Sequence, residues 1–108
     1  MNNPNEKIVI AVIVYDRIGN FIKWCKLAKI FRSQFPNDLE IRIIHNCNDL
    51  AISEKWKSIA SKFPVTYIRR NNVGLDIGVF QDVCKNSLEG FEDNYSYLLW
   101  FTDDCFPT

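Results

Sequence analysis

The sequence predicts an α/β domain built on a four-stranded, mostly parallel sheet. Short runs rich in β-branched and aromatic residues alternate with segments of helical periodicity, in the order β-α-β-α-β-α-β. The strand runs are apolar throughout, as in strands buried on both faces, and connections between parallel strands are right-handed. We therefore expect a Rossmann-like sheet of order 3-2-1-4 with helices on both faces.

The first half of the chain supplies two strands and one helix. Lys7–Tyr15 (KIVIAVIVY) is a continuous apolar run and predicts the first strand. Apolar residues then recur at helical spacing from residue 18 to residue 35, and Pro36 ends this helix. Leu39–His45 (LEIRIIH) predicts the second strand, followed by a turn-rich loop at residues 46–49.

The second half supplies the remaining elements. A second helix ends at Pro64, and Val65–Arg69 (VTYIR) predicts a short third strand. Asp76 is placed to cap a third helix that Gly90 ends, and Tyr95–Thr102 predicts the fourth strand. The helix positions expected to face the sheet are Ile18, Phe21, Ile22, Cys25, Ala28, Phe31 and Phe35, then Ile52, Trp56, Ile59, Ala60 and Phe63, and last Ile77, Phe80, Val83, Cys84 and Leu88.

The composition and charge of the chain argue against nucleic-acid-binding, transmembrane and secreted proteins. The chain has 108 residues and zero net charge, which fits one domain and gives no basic field for nucleic acid. We expect a flexible tail over residues 1–6 and a domain over residues 7–108. No apolar run is long enough for a transmembrane segment, and no signal peptide is apparent. The 4 cysteines form no CxxC pair, which favours reduced thiols and a cytoplasmic location.

Two adjacent carboxylates, Asp103 and Asp104, follow the apolar run Tyr97–Phe101 and precede Pro107. Open α/β sheets bind ligands at the carboxyl ends of their strands. Neighbouring carboxylates repel one another unless a cation or hydrogen-bond donors hold them. The pair therefore indicates a ligand or metal site, with a solvated turn as the structural alternative.

Polar groups suited to a nucleotide also follow the other strands. Tyr15 could stack on a base, and an Asx side chain could pair with a base edge. One carboxylate could accept from ribose hydroxyls, while another holds a divalent metal that bridges a diphosphate. Each residue has a structural alternative. Asp16 and Asp76 are equally suited to cap helices, and His45 fits a hydrogen-bonded structural histidine.

Two features around the third strand have mainly structural interpretations. Arg69–Arg70 fits a solvated strand end, with a diphosphate partner as the alternative. Gly74 and Gly78 fit a tight turn and close helix packing. The GLDIG segment is not GxGxxG, and no Walker A loop is present. A P-loop or dinucleotide fold is therefore disfavoured.

Four segments together resemble the N-terminal half of a family 2 glycosyltransferase of GT-A fold. They are IVIAVIVYDR, EIRIIHNCND, RRNNVGLDIGVF and YLLWFTDDCFP, in the order and spacing typical of that family. The last ends in a DxD-like motif in which Thr102 stands where many members have the first acid. Asn72–Gly78 is also similar to the NxGxDIG loop of rhamnan-synthesis-type transferases.

The resemblance implies roles for individual residues. Tyr15 and Asp16 would frame a uracil or other base, and His45 or Asn46 would meet the base edge. Asp103 would reach the ribose. Asp104 would coordinate Mn²⁺ or Mg²⁺ on the diphosphate. The nucleotide-binding set that follows is Tyr15, Asp16, His45, Asn46, Asp76 and Asp103.

We therefore expect the donor-binding half of a metal-dependent, inverting glycosyltransferase of polysaccharide biosynthesis. Its donor would be a UDP- or dTDP-linked sugar, and its acceptor a glycan or lipid-linked glycan. The catalytic base is expected beyond Thr108, so the chain would be truncated after the acidic signature and inactive alone. A complete enzyme could also lie peripherally at the membrane. The alternative is a non-catalytic α/β nucleotide- or metal-binding module, such as a receiver-like signalling domain.

Overall fold

The computed structural model describes residues 7–104, apart from the side chains of Leu75 and Asp76. The predicted tail at residues 1–6 and the end of the acidic segment at residues 105–108 lie outside the described part. Strands and helices alternate in the predicted order. The elements are β1 (Ile8–Val14), α1 (Ile18–Gln34), β2 (Leu39–Asn46), α2 (Leu50–Ala60), β3 (Val65–Arg70), α3 (Leu75–Cys84) and β4 (Tyr97–Thr102).

The sheet is parallel throughout and has the order β3-β2-β1-β4. Ile8 at the start of β1 lies opposite Leu39 of β2 on one side and Tyr97 of β4 on the other. The predicted α/β fold and strand order are confirmed. Because all strands run the same way, their carboxyl ends form one edge of the sheet.

Helices cover both faces of the sheet. Phe21 and Trp24 of α1 and Trp56 of α2 join one buried cluster with β1 and β2. Val79 and Val83 of α3 join a second cluster on the opposite face. The strands are apolar on both sides because each side meets a helix. No helix within residues 7–104 is long and apolar enough to cross a membrane.

The start of α3 differs from the sequence prediction. Gly74, not Asp76, is the N-cap residue, and its φ of 76° lies in the left-handed region that glycine tolerates. A Cβ on Gly78 would lie 2.3 Å from the carbonyl oxygen of Val73. The interpretation of both glycines as turn and packing residues is confirmed. Asp76 lies in the first turn of α3, and its side chain is outside the described part.

The end of α3 also differs. The helix stops at Cys84, well before the predicted stop at Gly90. Asn86 takes a left-handed φ of 55°, and the amides of Asn86 and Ser87 donate to the carbonyls of Val83 and Asp82. This is a Schellman-type ending, in which asparagine replaces the usual glycine.

Several apolar residues predicted to face the sheet are exposed instead. Ile77 is 72% exposed and Phe80 49%, since the buried positions of α3 are Val79 and Val83. Ile18 and Ile52, in the first turns of α1 and α2, are also exposed. The short α3 presents only a narrow apolar stripe to the sheet, so the wider predicted face is wrong.

A buried ionic network lies at the amino end of the sheet. Arg42 of β2 is 3% exposed and donates to Glu40 and to the side-chain oxygen of Asn94. Its guanidinium also lies 4.6 Å from the ring centroid of Phe91. Lys7 forms an ion pair with Glu40 at 2.6 Å. Through Asn94 and Phe91, the network holds the connection between α3 and β4 against the sheet.

Candidate functional site

Among the described residues, two clefts at the carboxyl edge of the sheet share Tyr15 and Asp16. The large cleft, about 630 Å³, lies between the ends of β1 and β2, and the acidic cleft, about 330 Å³, lies between β1 and β4. Tyr15 and Asp16 line both clefts. The large cleft is lined by Tyr15, Asp16, Ile18, Asn46, Cys47, Asn48, Asp49, Ile52, Lys55, Trp56 and Asn72, and the acidic cleft by Tyr15, Asp16, Arg17, Thr102, Asp103 and Asp104.

His45 holds the backbone at this junction from below. Its Nε2 lies 2.7 Å from the carbonyl oxygen of Tyr15, which can only accept, so we assign the ring proton to Nε2. Nδ1 then accepts from the hydroxyl of Tyr67, 2.5 Å away, and that oxygen accepts from Ser53 at 2.8 Å. The chain of hydrogen bonds fixes the turn at Tyr15.

His45 has no exposed surface and is not among the residues that line either cleft. Its ring stacks on Trp56 with centroids 4.0 Å apart, and Trp56 stacks on Phe21 in turn. Burial lowers the pKa of His45 and outweighs the opposing hydrogen bond to Tyr15. A neutral, stacked imidazole matches the structural interpretation of this residue, and any ligand in this conformation meets Tyr15 and Trp56 instead.

The wall of the large cleft on the helix side is partly apolar. Ile18 in the first turn of α1 and Ile52 in the first turn of α2 line it, and both are exposed. Trp56 adds an aromatic edge and Lys55 a positive charge. Periodicity assigned Ile18 and Ile52 to the core, and Lys55 carried no signal, so the sequence interpretation missed this wall.

The loops after β2 and β3 are tied to each other. Asp49 caps α2, since its Oδ1 accepts from the amides of Ala51 and Ile52. The Oδ1 of Asn48 accepts from the amide of Asn72 at 2.9 Å. These bonds hold the rim of the large cleft in one arrangement. The asparagine-rich composition of both loops was the only sequence signal for them.

Asn46 lies at the end of β2 and is 3% exposed. Its Oδ1 accepts from Nη1 of Arg70 at 3.1 Å, and Nε of Arg70 donates to Asp82 of α3 at 2.6 Å. The Arg70 side chain is only 10% exposed. The interpretation of Arg70 as a solvated strand end is therefore wrong, because the residue joins β2, β3 and α3.

The acidic cleft is built on the turn after β4. The amide of Asp103 donates to the carbonyl of Ile13 at 3.0 Å, and its carbonyl accepts from Nε1 of Trp24 at 3.2 Å. Burial raises the pKa of the Asp103 carboxyl, and the charges of Asp104 and Asp16 raise it further, against the opposing charge of Arg17. The cleft thus concentrates negative charge that Arg17 only partly offsets.

Asp104 is exposed at the mouth of the acidic cleft. Its Oδ1 accepts from the hydroxyl of Thr102 at 2.6 Å, which orients the carboxylate. Within residues 7–104, no three His, Cys, Asp or Glu side chains group closely enough to hold a metal ion by themselves. A cation here would therefore be held by Asp103 or Asp104 together with ligand oxygens and water, as is common for Mg²⁺.

The structure brings most of the predicted site residues together. Asp16 is not a helix cap: Arg17 is the N-cap residue of α1, and Asp16 lines both clefts. Tyr15, Asn46 and Asp103 also line a cleft, whereas His45 lies beneath one. Comparison of the chain with protein-family models, with curated proteins and with solved structures gives no match.

Proposed function

We propose that this chain is the donor-binding half of a metal-dependent glycosyltransferase that takes a nucleoside-diphosphate sugar. The observation that carries the proposal is the pair of clefts that share Tyr15 and Asp16. One cleft is partly apolar and aromatic, and the other is acidic. A nucleoside diphosphate has the same division, with an aromatic base at one end and an anionic, cation-binding diphosphate at the other.

The large cleft suits the nucleoside. Its volume of about 630 Å³ lies within the usual range for small-molecule sites, roughly 300–1,000 Å³. Tyr15 supplies aromatic surface, and Trp56, which is 4% exposed, supplies only an edge of its ring. Ile18 and Ile52 supply apolar walls. Asp16 lies at the junction of the two clefts, where it would frame the base together with Tyr15, and Asp103 of the acidic cleft would accept from the ribose hydroxyls.

The acidic cleft suits a divalent cation with the diphosphate. Burial, together with the charges of Asp104 and Asp16, raises the pKa of Asp103, so a cation here would favour its ionised form, and Asp104 is exposed beside it. Such a cation, when bound, would offset the negative charge of the departing diphosphate. Arg17 lines the same cleft and would offer a further positive charge to phosphate oxygens.

The residues of the described part bind and orient the donor in this proposal. The Tyr15 turn and the Asp103 turn are fixed by hydrogen bonds from His45 and Trp24, so both halves of the ligand would meet preorganised groups. Asp103 and Asp104 would be occupied by ribose and cation. We assign no residue here as the base that deprotonates an acceptor hydroxyl.

The sheet order argues against the receiver-like alternative. Receiver domains of the flavodoxin-like type have the order 2-1-3-4-5, with β1 beside β3. Here β1 lies between β2 and β4, and β3 is at the edge of the sheet. A receiver-like phosphorylation site after β3 also has no acid in this chain, since Arg70 is followed by Asn71 and Asn72.

Isothermal titration calorimetry with UDP tests the proposal. We expect binding that strengthens at least about tenfold when Mn²⁺ is added, and that loses this gain in Asp104→Asn. Asp38→Asn is the matched control, because Asp38 is an exposed acid at the amino end of β2. The proposal fails if neither UDP nor any other nucleoside diphosphate binds, or if Asp38→Asn and Asp104→Asn behave alike.

A further inference from the structure

The strand β4 lies at an edge of the sheet and has exposed apolar side chains. Within the described part of the chain, β4 pairs only with β1. Tyr97 is 59% exposed and Leu99 47%, and the whole strand (YLLWFT) contains no charged residue and no proline. Edge strands usually carry such residues, which prevent a further strand from pairing with them. At the opposite edge β3 carries Arg69 and Arg70, whereas β4 lacks this protection.

Both faces of β4 are apolar. Phe101 packs against the buried cluster beneath α1. Trp100 lies on the other face, where the ring centroid of half-exposed Phe80 of α3 is 5.5 Å from its own. Because successive side chains alternate, Tyr97 and Leu99 lie on the same face as Phe101. Continuous apolar runs of this kind are typical of interior strands with both faces covered, so β4 has the side chains of an interior strand.

The backbone of β4 can also accept a further strand. The amides of Tyr97 and Asp103 donate to carbonyls on the β1 side. Backbone groups alternate between the two sides of a strand, so those of Leu98 and Trp100 point away from β1. These outward N–H and C=O groups are the ones that an added strand would pair with.

We propose that a second copy of this chain pairs its β4 antiparallel to this one, about a two-fold axis at Leu99, and joins two four-stranded sheets into one. In this register Leu99 lies opposite its own counterpart, and Tyr97 lies opposite Phe101. Leu98 lies opposite Trp100, and their outward backbone groups form the hydrogen-bonded pairs. The inference goes beyond the proposed nucleotide site and does not depend on it.

The sequence of β4 favours a second copy as the added strand, because the strand is complementary to itself. Positions 97, 99 and 101 share one face, so every pair in this register joins side chains of the same face. The pairs are aromatic with aromatic, leucine with aromatic, and leucine with leucine, all of which are favourable across antiparallel strands, and no charges oppose one another. The two-fold axis makes the dimer closed, so no larger assembly follows from it.

Sedimentation velocity on the 108-residue chain tests the proposal. The interface is small, so we expect a dimer with a dissociation constant in the micromolar range. Leu99→Lys and Leu99→Glu should each weaken dimerisation at least about tenfold, because like charges would face each other across the axis. An equimolar mixture of the two variants should dimerise again, which also shows that both fold. Ile30→Lys, at a 54% exposed position of α1, is the control and should dimerise like the wild type.

Hydrogen exchange locates the interface on β4. The amides of Leu98 and Trp100 should exchange slowly only at concentrations at which the dimer forms. The amides of Leu99 and Phe101 face β1 and should exchange slowly at every concentration. This alternation distinguishes an added strand from contact through side chains alone.

The outcomes decide for or against the β4 dimer. A chain that stays monomeric, or a dimer that both Leu99 variants leave intact, overturns the proposal. A mixture of the variants that stays monomeric while the wild type dimerises overturns the register at Leu99. Slow exchange of Leu98 and Trp100 in a monomer overturns the second copy in favour of another segment of the same chain. Dimerisation that the mixture restores, with protection that depends on concentration, supports the proposal.

Discussion

The Nε2 atom of His45 lies 2.7 Å from the carbonyl oxygen of Tyr15, directly beneath the junction of the two clefts. The imidazole is fully buried between this carbonyl, the hydroxyl of Tyr67 and the indole of Trp56. His45 therefore couples the core of the α2 face to the turn that both clefts share. A change in this ring should alter stability and the site together.

Stability should depend on pH through His45, the sole histidine of the chain. Its pKa is lowered in the folded protein, chiefly by burial, so the unfolded chain binds a proton more readily. The contribution of neutral His45 to the free energy of unfolding is present above its unfolded pKa of about 6.5 and is lost as pH falls through its lowered pKa in the folded protein. The free energy of unfolding should thus decrease from pH 7.5 to pH 5.5 in urea titrations.

His45→Gln removes this titration. We expect the variant to be less stable by about 1–3 kcal/mol at pH 7.5, because Tyr15 and Tyr67 lose well-placed partners. The difference from wild type should shrink at pH 5.5. Lys57→Gln, at an exposed position of α2, is the control and should leave the wild-type pH dependence intact. An equal slope in His45→Gln and wild type would contradict the assignment.

Asp103→Asn should stabilise the ligand-free protein while weakening nucleotide binding. The raised pKa of Asp103 means that burial and the nearby Asp104 and Asp16 disfavour its ionised form. Removing the charge at pH 7 should raise Tm by about 2–5 °C, and the gain should shrink as pH falls and the wild-type carboxyl protonates. Differential scanning calorimetry at pH 7 and pH 4.5 measures this effect.

The same variant should bind UDP with Mn²⁺ about tenfold more weakly, since a ribose or cation partner is lost. Asp38→Asn should change neither Tm nor binding appreciably. A lower Tm for Asp103→Asn would show that the Asp103 carboxylate is held by favourable contacts, against the electrostatic account of the acidic cleft.

Gly78→Ala should destabilise the turn before α3. Its Cβ would lie 2.3 Å from the carbonyl oxygen of Val73 and 2.7 Å from Nη2 of Arg70. We expect the free energy of unfolding, measured by urea denaturation, to fall by roughly 3 kcal/mol. Gly19→Ala is the matched control, because a Cβ there meets nothing within 4 Å, and α1 should gain about 0.5–1 kcal/mol. Equal effects of the two substitutions would contradict the observed packing.

Glu40→Gln should destabilise the protein, because it weakens the ionic network at the amino end of the sheet. Burial alone would raise the pKa of Glu40, but hydrogen bonds from Arg42, Lys7 and Thr66 and the charge of Arg42 outweigh it and lower the pKa to about 2. The stabilisation is present above the unfolded pKa of about 4.5 and is lost as pH falls towards 2. We expect Glu40→Gln to lower the free energy of unfolding by about 2–3 kcal/mol at pH 7.

Chemical denaturation at pH 7 and pH 2.5 measures the Glu40 contribution. The difference between wild type and Glu40→Gln should be large at pH 7 and small at pH 2.5. Glu89→Gln, at an exposed residue of the connection between α3 and β4, serves as the control. A difference that stays constant over this range would show that the ionised carboxylate contributes no net stability.

The fold could be predicted from the sequence because its strands and long helices have strong patterns. Continuous apolar runs such as Ile8–Val14 occur where both sheet faces are covered, and that burial in turn requires crossover helices. The limits of α3 could not be predicted in this way. Asn86 ends the helix through a left-handed conformation that asparagine adopts only in some contexts, and Gly74 replaces Asp76 as the cap.

The site was predictable in its location more than in its contacts. Parallel strands place their carboxyl ends together, so Asp16, Asn46 and Asp103 were expected at one edge. The exposure of Ile52 depends on how α2 packs on the sheet, and the pairing of Arg70 with Asn46 depends on the distance between β2 and β3 side chains. Such tertiary distances leave no periodic mark in the sequence.

The most direct measurement of the central claim is nuclear magnetic resonance on the ¹⁵N-labelled chain titrated with UDP, first with Mg²⁺ and then with trace Mn²⁺. One nucleotide that spans both clefts should shift the backbone signals of Asn48 and Asp104 along curves with the same dissociation constant. Paramagnetic Mn²⁺ should then broaden Asp103 and Asp104 strongly and Asn48 weakly. Shifts confined to one cleft, or broadening centred away from Asp103 and Asp104, would contradict a shared nucleotide and metal site.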